Sequence, residues 1–174
     1  MISKYYEINK FKNKINLFLF YGENEGQKID VIQSNFNEFT KENTYKYSEK
    51  DIIENKQIFF ENIYSKSFFE NDKLILISDV SDKILNLMQE IIESNMNDVV
   101  IILIAKRLDK KSKIRNYFEK EKKILIIPFY EDTAQTLLSI AKKILFENKI
   151  NLSSENINLI IERSQGDRIN LKNE

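Results

Sequence analysis

The sequence predicts an α/β fold, a parallel sheet flanked by helices and followed by a small all-helical module. Three observations predict it. Four apolar runs, at 15–21, 73–77, 99–105 and 124–127, read as strands buried on both faces. Segments with helical periodicity separate them, and strands alternating with helices argue for a parallel sheet. Beyond Pro128 the pattern changes, and only helix-like segments follow.

Taken in order, residues 1–14 are polar with interleaved Tyr5, Tyr6, Ile8 and Phe11, which suits a short edge strand or arm. The run INLFLFY at 15–21 is the first buried strand. A helix over roughly 25–40 follows, with Ile29, Ile32, Phe36 and Phe39 at helical spacing. Thr44 to Tyr47 alternates as a short strand does. Ser48 and Asp51 form an S-x-x-D capping box, which opens a helix running to about Ile63. Ser65 to Phe69 reads as a short helix or loop, and Lys73 to Ile77 as a strand ending at Ser78-Asp79. An amphipathic helix covers 81–94 through Ile84, Leu87, Met88 and Ile91. VVIILIA at 99–105 is the next strand, Lys110 to about Glu121 a charged helix, and Ile124 to Ile127 a strand closed by Pro128. Thr133 to Phe146 and Ser153 to about Ser164 are amphipathic helices, and Gly166-Asp167 opens a third. No internal repeat is present.

Composition narrows the chemistry. At 174 residues the chain suits one α/β domain with a small appendage. It has no cysteine and no histidine, which removes disulfides, thiol nucleophiles, imidazole catalysis and the usual zinc sites. Lys and Arg total 27 and Asp and Glu total 27, so overall charge gives no pull toward nucleic acid. No apolar run approaches the ~18 residues of a membrane span, and residues 2–7 form no signal peptide. A cytoplasmic location is expected.

The first strand leads into Gly22-Glu-Asn-Glu-Gly26-Gln-Lys28 and then a helix, the layout of a phosphate-binding loop. A working loop reads G-x-x-x-x-G-K-[ST]: backbone N–H groups cradle the phosphates, the Lys reaches them and the hydroxyl holds Mg²⁺. Here the spacing between Gly22 and Gly26 is one residue short, Lys28 is one place late, and Ile29 replaces the hydroxyl residue. Glu23 and Glu25 add negative charge where a triphosphate would lie. The layout survives without its chemistry, and no cofactor is expected.

Three further features carry candidate roles. Asp79 ends an apolar strand, where a Mg²⁺-binding acid would stand; a helix-capping Asp is the competing reading, and the defective loop favours it. Lys106, Arg107, Lys110 and Lys111 form a possible contact for a DNA backbone, against a solvated helix face mixed with acids. In Ser67-Phe68-Phe69-Glu70-Asn71, two adjacent aromatics cannot both face one core from a helix or turn. An exposed aromatic rimmed by polar groups suits a partner's pocket, whereas loop aromatics also tuck beneath neighbouring strands.

The ordered set FLFYGENEG, SKSFFENDKLILISD, VVIILIAKRLDKKSKIRNYFEK and IAKKILFENKINLSSENINLIIERSQGDRINLKNE resembles the delta subunit of bacterial DNA polymerase III, the wrench subunit of the clamp loader. The resemblance runs over essentially the whole chain. It implies an AAA+-like domain at 1–130 with a degenerate P-loop, and a three-helix lid at 131–174 whose third helix is cut short. Nothing matches the collar domain of that family, so the resemblance implies an N-terminal fragment. Family members insert a hydrophobic pair into the sliding clamp (the beta subunit); Phe68 and Phe69 match it, with Ser67, Glu70 and Asn71 beside them. Phe68 departs from the family's more frequent Leu. The resemblance implies a non-ATPase that helps open the clamp ring for loading on primed DNA. The gamma/tau and delta prime subunits would be its partners in the full-length protein, and the DNA-directed DNA polymerase activity belongs to the holoenzyme. A divergent P-loop ATPase and a DNA-binding AAA+ relative are the alternatives, and each predicts its own ligand: ATP or DNA.

Overall fold

The computed structural model describes residues 1–64, 72–94 and 98–174. Five strands form one sheet: β1 (Leu17–Gly22), β2 (Thr44–Ser48), β3 (Lys73–Ser78), β4 (Val99–Ala105) and β5 (Ile124–Phe129). Their order is β2-β3-β4-β1-β5, and the sheet is all parallel. Phe18 lies opposite Ile102, Ile75 opposite Ile101, and Tyr45 opposite Ile75. The helices are α1 (Glu25–Asn35), α2 (Glu49–Glu54), α3 (Lys56–Tyr64), α4 (Leu85–Glu93), α5 (Lys113–Lys120), α6 (Ala134–Glu147), α7 (Ser154–Arg163) and α8 (Arg168–Asn173).

The chain clusters into two compact units, residues 1–22 with 31–128 and residues 23–30 with 129–174. In the first, strand side chains alternate between faces. Leu17, Leu19, Ile75, Ile77, Ile101, Leu103, Ile124 and Ile126 share one apolar cluster with Ile52, Phe59, Met88, Ile114 and Phe118 from α2 to α5. The intervening residues Phe18, Phe20, Ile102, Leu125 and Ile127 are equally buried, as befits a parallel sheet covered on both sides. Phe18 meets Phe36, just beyond α1, edge to face at 5.2 Å. In the second unit α6, α7 and α8 pack around Leu137, Ala141, Ile157 and Leu171.

Side chains that compete for backbone groups account for most departures from the expected boundaries. Helix α1 stops at Asn35, whose Nδ2 donates to the Val31 carbonyl at 2.9 Å. The helix expected from Asp51 to about Ile63 is two helices, interrupted at Asn55 (φ −129°, ψ 46°). The charged helix starts at Lys113 because Ser112 caps it. Strand β5 runs through Pro128 instead of ending there. Proline is tolerated towards the rim of a sheet, and among the described residues β5 is flanked on its outer side by the single bridge of Ile2 to Ile126. That bridge is the edge pairing of the N-terminal arm, and Tyr5–Lys10 is a 3-10 helix. The Ser48–Asp51 capping box forms in both directions, with Asp51 N donating to Ser48 Oγ at 3.2 Å and Ser48 N to Asp51 Oδ2 at 3.1 Å.

Candidate functional site

In an open parallel sheet, ligands sit beyond the carboxyl ends of the strands, which is where β1 hands over to α1. Gly22 has φ 128°, a conformation glycine takes readily and other residues do not. Its N–H donates to the Lys106 carbonyl at 3.1 Å. Three further amides, those of Glu25, Gln27 and Lys28, are also engaged within the protein. Glu25 N donates to Glu23 O (2.9 Å), and Lys28 N to Asn24 O (3.2 Å). Gln27 N donates to Asn24 Oδ1 at 2.9 Å. Asn24 thus caps α1 with its side-chain oxygen. Its amide nitrogen donates to Tyr130 O and to Asp132 Oδ2, both at 2.9 Å.

Lys28 is turned inward, with its side chain 1% exposed and its Nζ 2.7 Å from Glu25 Oε1. A phosphate cradle needs free amides and a free ammonium group. The amides of Gly22, Glu25, Gln27 and Lys28 have acceptors in the chain, and the ammonium of Lys28 has a carboxylate. The residues present do not fit a Mg²⁺-nucleotide.

Gly26 serves a different purpose. A Cβ there would lie 2.4 Å from Arg168 Cγ and 3.0 Å from Arg168 Cδ. Its lack of a side chain admits the arginine. Arg168 is 8% exposed and grips Asp132 with two bonds, Nε to Oδ2 at 2.7 Å and Nη2 to Oδ1 at 2.5 Å. Its Nη1 donates to Asp30 Oδ2 at 3.2 Å. Lys172 pairs with the other oxygen of Asp30. Burial works against the charge of Arg168; the Asp132 and Asp30 carboxylates outweigh it and hold the guanidinium above its ordinary pKa. No motif or periodicity in the sequence marks this cluster.

The remaining candidates fall elsewhere. Ser67, Phe68, Phe69, Glu70 and Asn71 lie outside the described residues. At the flanks of that segment, Lys73 Nζ donates to the Asn62 carbonyl at 3.2 Å, linking the start of β3 to α3. Asp79 is exposed with φ 56° and is not the helix cap expected of it. The cap after this strand is Ser81, which accepts from Lys83 N, and Asp82 supports the start of α5 beside its cap Ser112, accepting from Lys113 N (3.0 Å), Ile114 N (2.9 Å) and Ser112 Oγ (2.7 Å). Asp82 is held below the usual carboxylate range: burial acts against that direction, and these three bonds prevail. Lys106, Arg107, Lys110 and Lys111 are all exposed on the connection from β4 to α5. Asp109 stands among them, 3.7 Å from Arg107 Nε. Among the described residues, no acidic cluster suits a metal ion and no helix is long and apolar enough to cross a membrane.

No protein-family profile matches the chain. No curated protein matches it either. Solved structures do. The Bacillus subtilis DNA clamp loader delta protein superposes over 96% of this chain with a TM-score of 0.61 at 12% identity. AMPPCP-bound DnaA from Aquifex aeolicus covers 96% with a TM-score of 0.63 at 22% identity. A RuvB variant from Thermotoga maritima covers 95% with a TM-score of 0.61 at 18% identity. The chain spans 54%, 58% and 55% of these proteins. The likeness is one of fold, an AAA+-like sheet with a helical C-terminal portion.

Proposed function

We propose that this chain is the clamp-engaging part of a non-ATPase clamp-loader subunit, similar to the delta subunit of bacterial DNA polymerase III. The observation that carries the reading is an AAA+-like fold in which the amides of Gly22, Glu25, Gln27 and Lys28 and the ammonium group of Lys28 are engaged within the protein. A scaffold that keeps this layout without a phosphate cradle suits a mechanical role better than hydrolysis. A fold match covering 96% of the chain to a clamp loader delta protein supports the same direction, as does the ordered sequence resemblance.

In this reading Phe68 and Phe69 enter an apolar pocket on the sliding clamp, with Ser67, Glu70 and Asn71 against the rim. Ring opening follows if the subunit binds the open clamp better than the closed one, because a ligand shifts an equilibrium only by its differential affinity. ATP hydrolysis falls to partner subunits of the gamma/tau type, and the site of action is the cytoplasm. The test is surface plasmon resonance of the chain on its cognate sliding clamp, beside the Phe68→Ala/Phe69→Ala double variant. Two aromatic anchors together contribute about 4 kcal/mol or more when they are hot spots, so binding should disappear in the variant. Equal binding by both proteins removes the pair from the interface. No binding by the folded wild-type chain counts against the reading, and titrations with ATP and DNA then address the alternatives.

A further inference from the structure

Four charged residues of the second unit form a neutral cluster. Asp30 lies in α1, Asp132 just before α6, and Arg168 and Lys172 in α8. Helix α8 has six residues, too few to stand alone in water. Arg168 is its first residue, so its cation sits at the positive end of the helix dipole, where a cation is locally unfavourable. The charge is held there by tertiary partners: the 3% exposed Asp132 side chain in a two-pronged contact, and Asp30 beside it. Two-pronged Arg–carboxylate contacts are among the strongest and most directional polar interactions. Asp132 also accepts from Asn24, the residue that caps α1. The stem of Arg168 covers Gly26 at a distance that excludes even a methyl group.

We propose that Arg168 is an internal ligand of the loop: its stem fills the ground over Gly26 that a polyphosphate would need, and its guanidinium, clasped by Asp132 and Asp30, fastens α8 to the first turns of α1 independently of nucleotide. The proposal deepens the function proposed above, in which the loop is architectural. It assigns a specificity role to Arg168 and Gly26, which close the site against nucleoside triphosphates. It also assigns a holding role to Asp30, Asp132 and Lys172. The two cations of the cluster are matched by two carboxylates, so it has no net charge left for an anion to neutralise.

Hydrogen exchange read by mass spectrometry tests this without any clamp, so its outcome is separate from that of the binding experiment. The proteins are the wild type and Arg168→Met, which keeps an apolar stem and removes the charge. Amides of 168–173 and 23–30 should exchange roughly tenfold faster or more in the variant, while β1 and β4 keep their protection. Millimolar Mg-ATP should leave wild-type exchange unchanged in both segments. Unchanged exchange in Arg168→Met overturns the clasp. Slower exchange of 22–28 and 168–173 in wild type with Mg-ATP also overturns it, because Arg168 would then be serving a nucleotide. If Arg168→Met loses protection in β1 and β4 as well, Lys172→Met is read in its place. That variant trims one member of the cluster and should give a smaller acceleration confined to the same segments; no acceleration overturns the proposal.

Discussion

In the sheet unit, Phe18, Phe20, Leu103, Ile102 and Phe118 are fully buried, and edge-to-face aromatic contacts knit Phe18 to Phe20 and Phe36. In the helical unit the buried apolar cluster is Leu137, Ala141, Ile157 and Leu171, and beside it Asp132 and Arg168 are buried as a charged pair. The difference follows from size. A small assembly of helices cannot bury enough apolar surface to fix every element, so directional contacts supply what area does not. The sheet unit depends on volume and shape. The helical unit also depends on where a few charges lie.

The comparison can be broken first on the apolar side. Phe18→Ala should destabilise the sheet unit by about 3–5 kcal/mol, the usual result of emptying a large aromatic site in a packed core. Urea unfolding followed by far-UV circular dichroism reads it as a lower midpoint at unchanged slope. A loss below about 1 kcal/mol would mean that the site refills and that shape matters less there than the burial implies. On the other side, Gly26→Ala forces a methyl group against Arg168 Cγ. The cost should be about 1–3 kcal/mol, as for other overpacked sites. It should fall on the helical unit, with faster exchange of 168–173 as its signature, and an Ala variant as stable as wild type would mean that the arginine moves aside freely.

The smallest effect sharpens the comparison by showing a polar contact inside the sheet unit that is only a cap. Asp82→Asn should cost about 1 kcal/mol at neutral pH, the scale of a helix-capping contact. The sign of its pH dependence is fixed by the lowered pKa of Asp82. The carboxylate contributes fully above its unfolded-state value of about 3.9, and that contribution fades as pH falls through the lower folded-state value. Wild type and Asp82→Asn should therefore converge in stability as the solution is acidified. Melting temperatures measured from neutral pH down to about pH 3 check this, and a constant gap between the two proteins would refute it.

Much of the sheet could be read from the chain because its signals are local. Uninterrupted apolar runs at 99–105 and 124–127 have no other comfortable place. Ser48 with Asp51, Thr133, Ser153 and Asp167 are caps whose geometry follows from their own short-range bonds. Boundaries failed where a side chain competed with the backbone, as Asn35 and Asn55 do, and where an edge position excused Pro128. The cap expected at Asp79 falls at Ser81 instead, a choice that turns on backbone angles sequence spacing does not encode. The Arg168 cluster joins positions 138 and 36 residues apart in the chain, and no periodicity reports such a pairing. One trace of it was present: an arginine directly after a capping Asp, at the wrong end of a short helix, needs a partner from elsewhere. The sequence marks Gly26 only by its place in the loop, while the structure ties its missing side chain to Arg168.

The inward turn of Lys28 has a consequence for how this loop could change over generations. Placing a hydroxyl at position 29 would not produce a phosphate cradle, because the ammonium group is paired with Glu25 and the amides of Gly22, Glu25, Gln27 and Lys28 are already bonded. Lengthening the turn would disturb the Asn24 cap and its contact with Asp132. That second step breaks existing contacts before any new one can compensate. The loop therefore resists that change: the contacts that hold the turn must be given up before a phosphate could repay them.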